Sequence, residues 1–95
     1  MNNSTTIKLY GSAKCHKTLY YKNYFDRLAI SFEFLDVVVN SKHAIELRSL
    51  YESGKLNFPT ITIGNKKLRN PSDKELEKWL NKFNKELWKI IKKHI

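Results

Sequence analysis

Along this chain, short stretches in which apolar and polar side chains alternate at every residue give way to longer ones in which apolar residues return every third or fourth position. Thr6 to Tyr10 alternates as a half-buried strand does, and Gly11-Ser12 breaks the run. From Cys15 to Ile30, the residues Leu19, Tyr20, Tyr24, Phe25, Leu28 and Ala29 recur at helical spacing, which predicts a first helix with these positions on its buried stripe. Phe32 to Val39 is rich in β-branched and aromatic residues and predicts a second strand with Asp36 in its middle. Ser41 is the expected cap of a second helix running to about Ser53, apolar at Ala44, Ile45, Leu47, Leu50 and Tyr51, with Gly54 as its left-handed stop.

Pro59 to Ile63 predicts a third strand, and Gly64-Asn65 a tight turn into a fourth at Lys66 to Arg69. Ser72-Asp73-Lys74-Glu75 places a hydroxyl and, three residues later, a carboxylate where a helix start needs acceptors for its exposed amides. The third helix then runs to about Lys93, apolar at Leu76, Trp79, Leu80, Phe83, Leu87, Trp88, Ile90, Ile91 and Ile95. The order is β-α-β-α-β-β-α. A strand-helix-strand unit is parallel with a right-handed crossover and a hairpin is antiparallel, so the expected α/β architecture is a mixed four-stranded sheet flanked by three helices. Residues 1–5 are expected to form a disordered tail, 6–83 the domain, and 84–95 a basic amphipathic extension. That extension is read as packed on its own domain, in preference to an acidic membrane surface or a partner.

Length and composition narrow the function classes. At 95 residues the chain has room for one domain. No run approaches the about 20 apolar residues that span a bilayer, and Met1 to Thr6 lacks an apolar signal core, so no transmembrane segment and a cytoplasmic location are expected. The single cysteine agrees, since small secreted domains use cysteines in disulfide pairs. A formal charge of +9 attracts anionic partners, but lysine carries most of it and is spread through every segment; no specific nucleic-acid partner is expected. One cysteine with the scattered His16, His43 and His94 lacks the spacing of a tetrahedral site, so no metal is expected either. Tyr20, Tyr21 and Tyr24 are read as core packing, not as a platform for bases.

The candidate chemistry centres on Cys15. It falls where the first strand has ended and the first helix begins, so unpaired amides and the helix dipole favour its thiolate. Lys14, His16 and Lys17 add positive charge, and such surroundings lower a cysteine pKa from about 8.5 towards neutrality. Thr18 either donates a hydrogen bond to the sulfur or faces the helix interior.

Tyr10-Gly11-Ser12-Ala13-Lys14-Cys15-His16-Lys17-Thr18 resembles the active-site turn of the glutaredoxin family, with Thr18 where dithiol members carry a second cysteine. Asn57-Phe58-Pro59-Thr60-Ile61-Thr62-Ile63-Gly64 resembles that family's cis-proline loop, strand and hairpin glycine. The resemblance spans roughly Thr6 to Phe83. It implies a thioredoxin fold of glutaredoxin type, a cis Phe58-Pro59 bond beside the sulfur, and a Phe58 backbone that pairs with glutathione. Cys15 would be the catalytic residue, tuned by Lys14, His16, Lys17 and Thr18; Tyr10, Ser12, Phe58, Pro59, Ser72 and Asp73 would line the glutathione or substrate site. The chain departs from the family where Ser12 replaces a carboxylate-binding Lys or Arg, for which Lys14 and Lys17 are candidates, and where Arg69-Asn70-Pro71-Ser72-Asp73 replaces a Gly-Gly and acidic cluster. It resembles the arsenate reductases less, because the helical region they insert before the cis proline has no room here, and the Cys-His-Lys-Thr turn differs from the Cys-Gly-Phe-Ser turn of cluster-carrying monothiol glutaredoxins.

The implied activity is thiol-disulfide exchange by a monothiol route on glutathione mixed disulfides, serving redox homeostasis. Glutathione is then co-substrate, glutathionylated or thiol-containing proteins are the partners, and the chain is a monomer. The alternative is a non-catalytic thioredoxin-fold module that binds through the Phe58-Pro59 groove or the basic C-terminal helix.

Overall fold

In the computed structural model, residues 6–82 are described. The tail expected at residues 1–5, the extension expected at 84–95 and the end of the third helix lie outside them. The elements are β1 (Ile7–Gly11), α1 (His16–Arg27), β2 (Glu33–Asp36), α2 (Ser41–Ser49), β3 (Thr60–Ile63) and β4 (Lys66–Arg69). A third helix, α3, occupies 73–82 of the described residues.

The sheet has the order β2-β1-β3-β4. β1 runs parallel to β2 and antiparallel to β3, and β3 forms the antiparallel hairpin with β4. Alternation along the strands splits the core in two. Ile7 and Leu9 of β1, Ile61 and Ile63 of β3 and Leu68 of β4 meet Tyr21 and Phe25 of α1 and Leu76 and Leu80 of α3 on one face. Tyr10, Leu35 and Val37 meet Leu47 of α2 on the other, with Phe58 packed against them. Each such fully buried side chain contributes roughly 1.5–3 kcal/mol through its transfer from water. On the α2 side, Glu46 accepts from the Lys8 ammonium at 3.1 Å and from the Tyr10 hydroxyl, tying α2 to β1.

The element order is as the pattern predicts, but five local readings need correction. The buried residues of α1 are Thr18, Tyr21 and Phe25, whereas Leu19, Tyr20 and Leu28 are exposed. The reason is a close approach to β1: a Cβ added at Gly11 would stand 2.6 Å from Thr18 Cγ2, so the helix lies with Thr18 against the strand and the stripe rotates to suit. α1 also stops before Ile30. Ala29 adopts φ 54°, its amide donates to the Asp26 carbonyl at 3.1 Å, and the Ile30 amide donates to the Phe25 carbonyl at 2.9 Å. These two bonds make a Schellman stop, formed on alanine in place of glycine.

β2 ends at Asp36 and not at Val39, because Asp36 Oδ1 accepts from the Val38 and Val39 amides at 2.9 and 3.1 Å and curls the chain into a turn. Val38 and Val39 are thereby left exposed. Finally, α2 is capped by Asn40, whose side chain accepts from the Lys42 and His43 amides, and Ser41 is its first helical residue. The helix closes at Ser49, five residues before Gly54, which does take a left-handed φ of 67°.

Candidate functional site

Strand register brings three irregular segments to one end of the sheet. Tyr10 pairs with Thr60, and Thr60 with Arg69. The turn that leaves β1 toward Cys15, the Phe58-Pro59 link that enters β3, and the Asn70-Pro71-Ser72 loop that leaves β4 therefore share that end. Asp36 joins them, since it pairs with Gly11 at the close of β2.

Four consecutive amides define the cysteine turn, and each has a partner. The Ser12 amide donates to Thr18 Oγ1 at 3.2 Å, the Ala13 amide to Asp36 Oδ2 at 3.1 Å, and the Lys14 amide to Ser12 Oγ at 3.2 Å. The Cys15 amide donates to the Ser12 carbonyl at 3.0 Å, closing a four-residue turn. Cys15 then sits at the N-cap of α1 with an extended backbone, and its carbonyl accepts the Leu19 amide at 3.0 Å.

This position favours the thiolate. The side chain makes no cap hydrogen bond of standard geometry, yet the Thr18 amide lies near enough to the sulfur to be the strongest influence on its ionisation, and it lowers the pKa. Burial acts in the opposite direction. The Thr18 hydroxyl, the Lys17 amide and the Lys17 ammonium reinforce the first effect, and the thiol ends below its ordinary value. Lys17 is the only cation among these leading influences; Lys14 and His16 are exposed on the same turn. Thr18 faces the interior, fully buried against Gly11, and its amide and hydroxyl act to lower the Cys15 pKa. Cys15 itself is partly exposed. The thiolate is the nucleophile of disulfide exchange, and a lowered pKa increases its share.

The second segment contains the cis Phe58-Pro59 bond that the family resemblance implies. Pro59 is buried and its carbonyl accepts the Asn70 amide at 3.0 Å. Thr60 Oγ1 donates to the Asn57 carbonyl at 2.7 Å and accepts from the Tyr51 hydroxyl at 2.8 Å, which fixes the loop from both sides. Among the described residues the Phe58 amide and carbonyl have no hydrogen-bond partner.

The other candidate residues are engaged within the protein. Tyr10 is buried on the α2 face with its hydroxyl on Glu46. Ser12 is buried, and its hydroxyl and carbonyl oxygens hold the turn. Ser72 Oγ accepts the Glu75 amide at 3.2 Å as the cap of α3. Both Asp73 carboxylate oxygens accept from the Tyr20 hydroxyl, at 2.6 and 2.7 Å. Beside it, the Tyr21 hydroxyl donates to the Pro71 carbonyl at 2.6 Å, and burial foremost raises its pKa to about 12. Tyrosines of α1 thus anchor the loop before α3.

Two features of the site escaped the sequence pattern. Asp36 reads there as a polar interruption of a strand, whereas its carboxylate binds three backbone amides. Burial is the largest influence on it and raises its pKa, but the amides of Val39, Val38 and Ala13 together outweigh burial and hold it below the usual carboxylate range. The signal is an aspartate followed by Val-Val-Val-Asn, a strand end in disguise. Gly11 reads as a strand breaker; it remains in β1 and is required by the approach of Thr18.

No protein-family model and no curated protein sequence matches the chain. Solved structures do. A mutant of the thioredoxin-like protein BC3987 superposes with a TM-score of 0.67 at 21% identity, covering 80% of this chain and 95% of that one. The unmutated protein gives 0.62 at 20% identity, over 77% of this chain and 97% of that one. The glutaredoxin from Archaeoglobus fulgidus gives 0.64 at 19% identity, over 78% of this chain and 84% of that one. With its mixed four-stranded sheet, three helices and a cysteine at the first helix start, the chain has the thioredoxin fold.

Proposed function

We propose that the chain is a thiol-disulfide oxidoreductase that works through Cys15 alone on glutathione mixed disulfides. The observation that carries this reading is the placement of a partly exposed cysteine at the cap of α1, where the Thr18 amide leads a set of groups that lower its pKa. The likeness to a glutaredoxin supports it. In the first step the Cys15 thiolate attacks the glutathione sulfur of a protein-glutathione disulfide. The Cys15–glutathione S–S bond forms, the original S–S bond breaks, and the protein thiolate leaves and takes a proton from water. In the second, the thiolate of a reduced glutathione attacks the glutathionyl sulfur. Glutathione disulfide departs and the Cys15 thiolate is regenerated, so each turnover consumes one reduced glutathione.

The unpartnered Phe58 amide and carbonyl are the groups that would pair with the peptide backbone of glutathione, as a strand edge pairs with an added strand. Lys14 and Lys17 would meet its carboxylates. Ser72 and Asp73 would meet a ligand with their remaining donor and acceptor sites, since the Glu75 amide and the Tyr20 hydroxyl already occupy part of each. With Thr18 in place of a second thiol, the chain would not reduce protein disulfides by a two-cysteine route.

Incubation with a glutathionylated peptide, followed by mass spectrometry and a coupled turnover assay, tests the reading. The wild type is expected to accumulate one glutathione on Cys15 and to release the reduced peptide, and Cys15→Ser to do neither. Full deglutathionylation by Cys15→Ser would overturn the proposal. A wild type that forms no adduct would favour a binding module built on the same fold.

A further inference from the structure

Three of the four amides in the cysteine turn are satisfied by the turn and the helix it opens. The Ser12, Lys14 and Cys15 amides find Thr18 Oγ1, Ser12 Oγ and the Ser12 carbonyl. The Ala13 amide alone is held from elsewhere in the chain, by a carboxylate oxygen of Asp36. That carboxylate is divided between two tasks. Oδ1 accepts from Val38 and Val39 and ends β2, while Oδ2 reaches across to the turn. We propose that Asp36 is a positioning residue for Cys15, its second oxygen fixing the cysteine turn through the Ala13 amide so that the sulfur stays beside the Thr18 amide. The inference rests on Cys15 being the reactive group, as in the function proposed above, but not on its substrate.

The chemistry is specific to an ionised carboxylate. An asparagine has one acceptor oxygen and an NH₂ group. If its oxygen keeps the strand-end turn, its NH₂ faces the Ala13 N–H, donor against donor, and the link is lost while β2 still ends normally. Geometry and charge also predict opposite results. Removing a negative charge near a thiol favours its ionisation and lowers its pKa. Loosening the turn withdraws the amide that lowers the Cys15 pKa, and so raises it.

The test is the pH dependence of iodoacetamide alkylation of Cys15, which reads thiolate content without reference to glutathione. Asp36→Asn is expected to raise the thiol pKa by about half a unit or more, close to a threefold loss of rate below the pKa. An unchanged or lowered pKa overturns the proposal. A second variant guards against a general fold defect. Ala13 is the second residue of the turn closed by Cys15 N–H and Ser12 C=O, a position proline suits, and Ala13→Pro deletes the amide in question. In the Ala13→Pro background, where only the charge effect remains, Asp36→Asn is expected to leave the thiol pKa unchanged or to lower it. An undiminished rise there overturns the proposal as well. A wild type without deglutathionylation activity whose thiol pKa still responds to Asp36→Asn would sink the function proposed above and leave this inference standing.

Discussion

Gly11 and Thr18 occupy each other's space: any side chain on the strand residue would run into the methyl of the helix residue, 2.6 Å from the position of an added Cβ. The contact sets how close α1 can come to β1 and so where the cap residue Cys15 stands. Gly11→Ala is expected to cost about 1–3 kcal/mol through overpacking and to raise the Cys15 pKa as the Thr18 amide is pushed away. Adding Thr18→Ala removes the clashing side chain and keeps the residue-18 amide, so it should recover part of the melting temperature and part of the thiol ionisation. Recovery of the melting temperature with the thiol pKa left fully raised would show that the contact does not govern the sulfur.

The Thr18 hydroxyl and amide act on Cys15 separately. Thr18→Val keeps the shape and the amide but removes the hydroxyl that helps lower the Cys15 pKa and accepts the Ser12 amide. Because the amide is the larger influence, the thiol pKa should rise only part of the way to about 8.5. Alkylation rates across pH read the shift directly; a full return to the ordinary value would assign the larger role to the hydroxyl. The loss of one buried hydrogen bond should lower stability by about 1 kcal/mol.

Ala29 closes α1 at φ 54°, a conformation that costs an L-residue roughly 1–2 kcal/mol and glycine almost nothing. Ala29→Gly is therefore expected to stabilise the protein, by about 1 kcal/mol at most once the larger freedom of glycine in the unfolded chain is included. Thermal or urea unfolding measures it. A lower melting temperature would mean that α1 ends differently in solution.

Glu46 is held below the usual carboxylate range, chiefly by the Tyr10 hydroxyl and then by Lys8, with burial opposing them. Its folded pKa lies under its unfolded one. The contact therefore contributes in full above the unfolded pKa of about 4.3 and is lost as pH falls through the depressed value. Tyr10→Phe should cost about 1 kcal/mol at pH 7, a figure kept small because Glu46 is partly solvated. At a pH below the folded value the gap between variant and wild type should narrow. Melting curves at the two pH values decide it; an equal gap at both would mean the hydroxyl matters for packing and not for the carboxylate.

The sequence was most informative where one residue type leaves the backbone few choices. Alternation gave β1, β-branched residues β3, the Gly64-Asn65 turn the β3–β4 hairpin, and Ser72 the start of α3, while the cis Phe58-Pro59 bond followed from the family resemblance of its loop. It misled where a tertiary contact outranked a local preference. Thr18 lies buried because Gly11 leaves it room, so the polar residue went inside and Leu19 and Leu28 outside. Val38 and Val39 have strand propensity, but Asp36 claims their amides for a turn. Asn40 took the cap expected of Ser41 because its carboxamide oxygen is one residue better placed to receive two amides. At the site, Cys15 and its cap position were legible; Asp36 was not, because its partner Ala13 lies in a different segment and nothing local joins the two.

With every amide from Ser12 to Cys15 engaged, the segment that presents the sulfur is organised when the protein folds, not when a disulfide arrives. Under the proposed function, an incoming disulfide would meet a nucleophile already aimed, the entropy of arranging that loop having been met in advance by the rest of the chain. Encounter would then have only the ligand left to order.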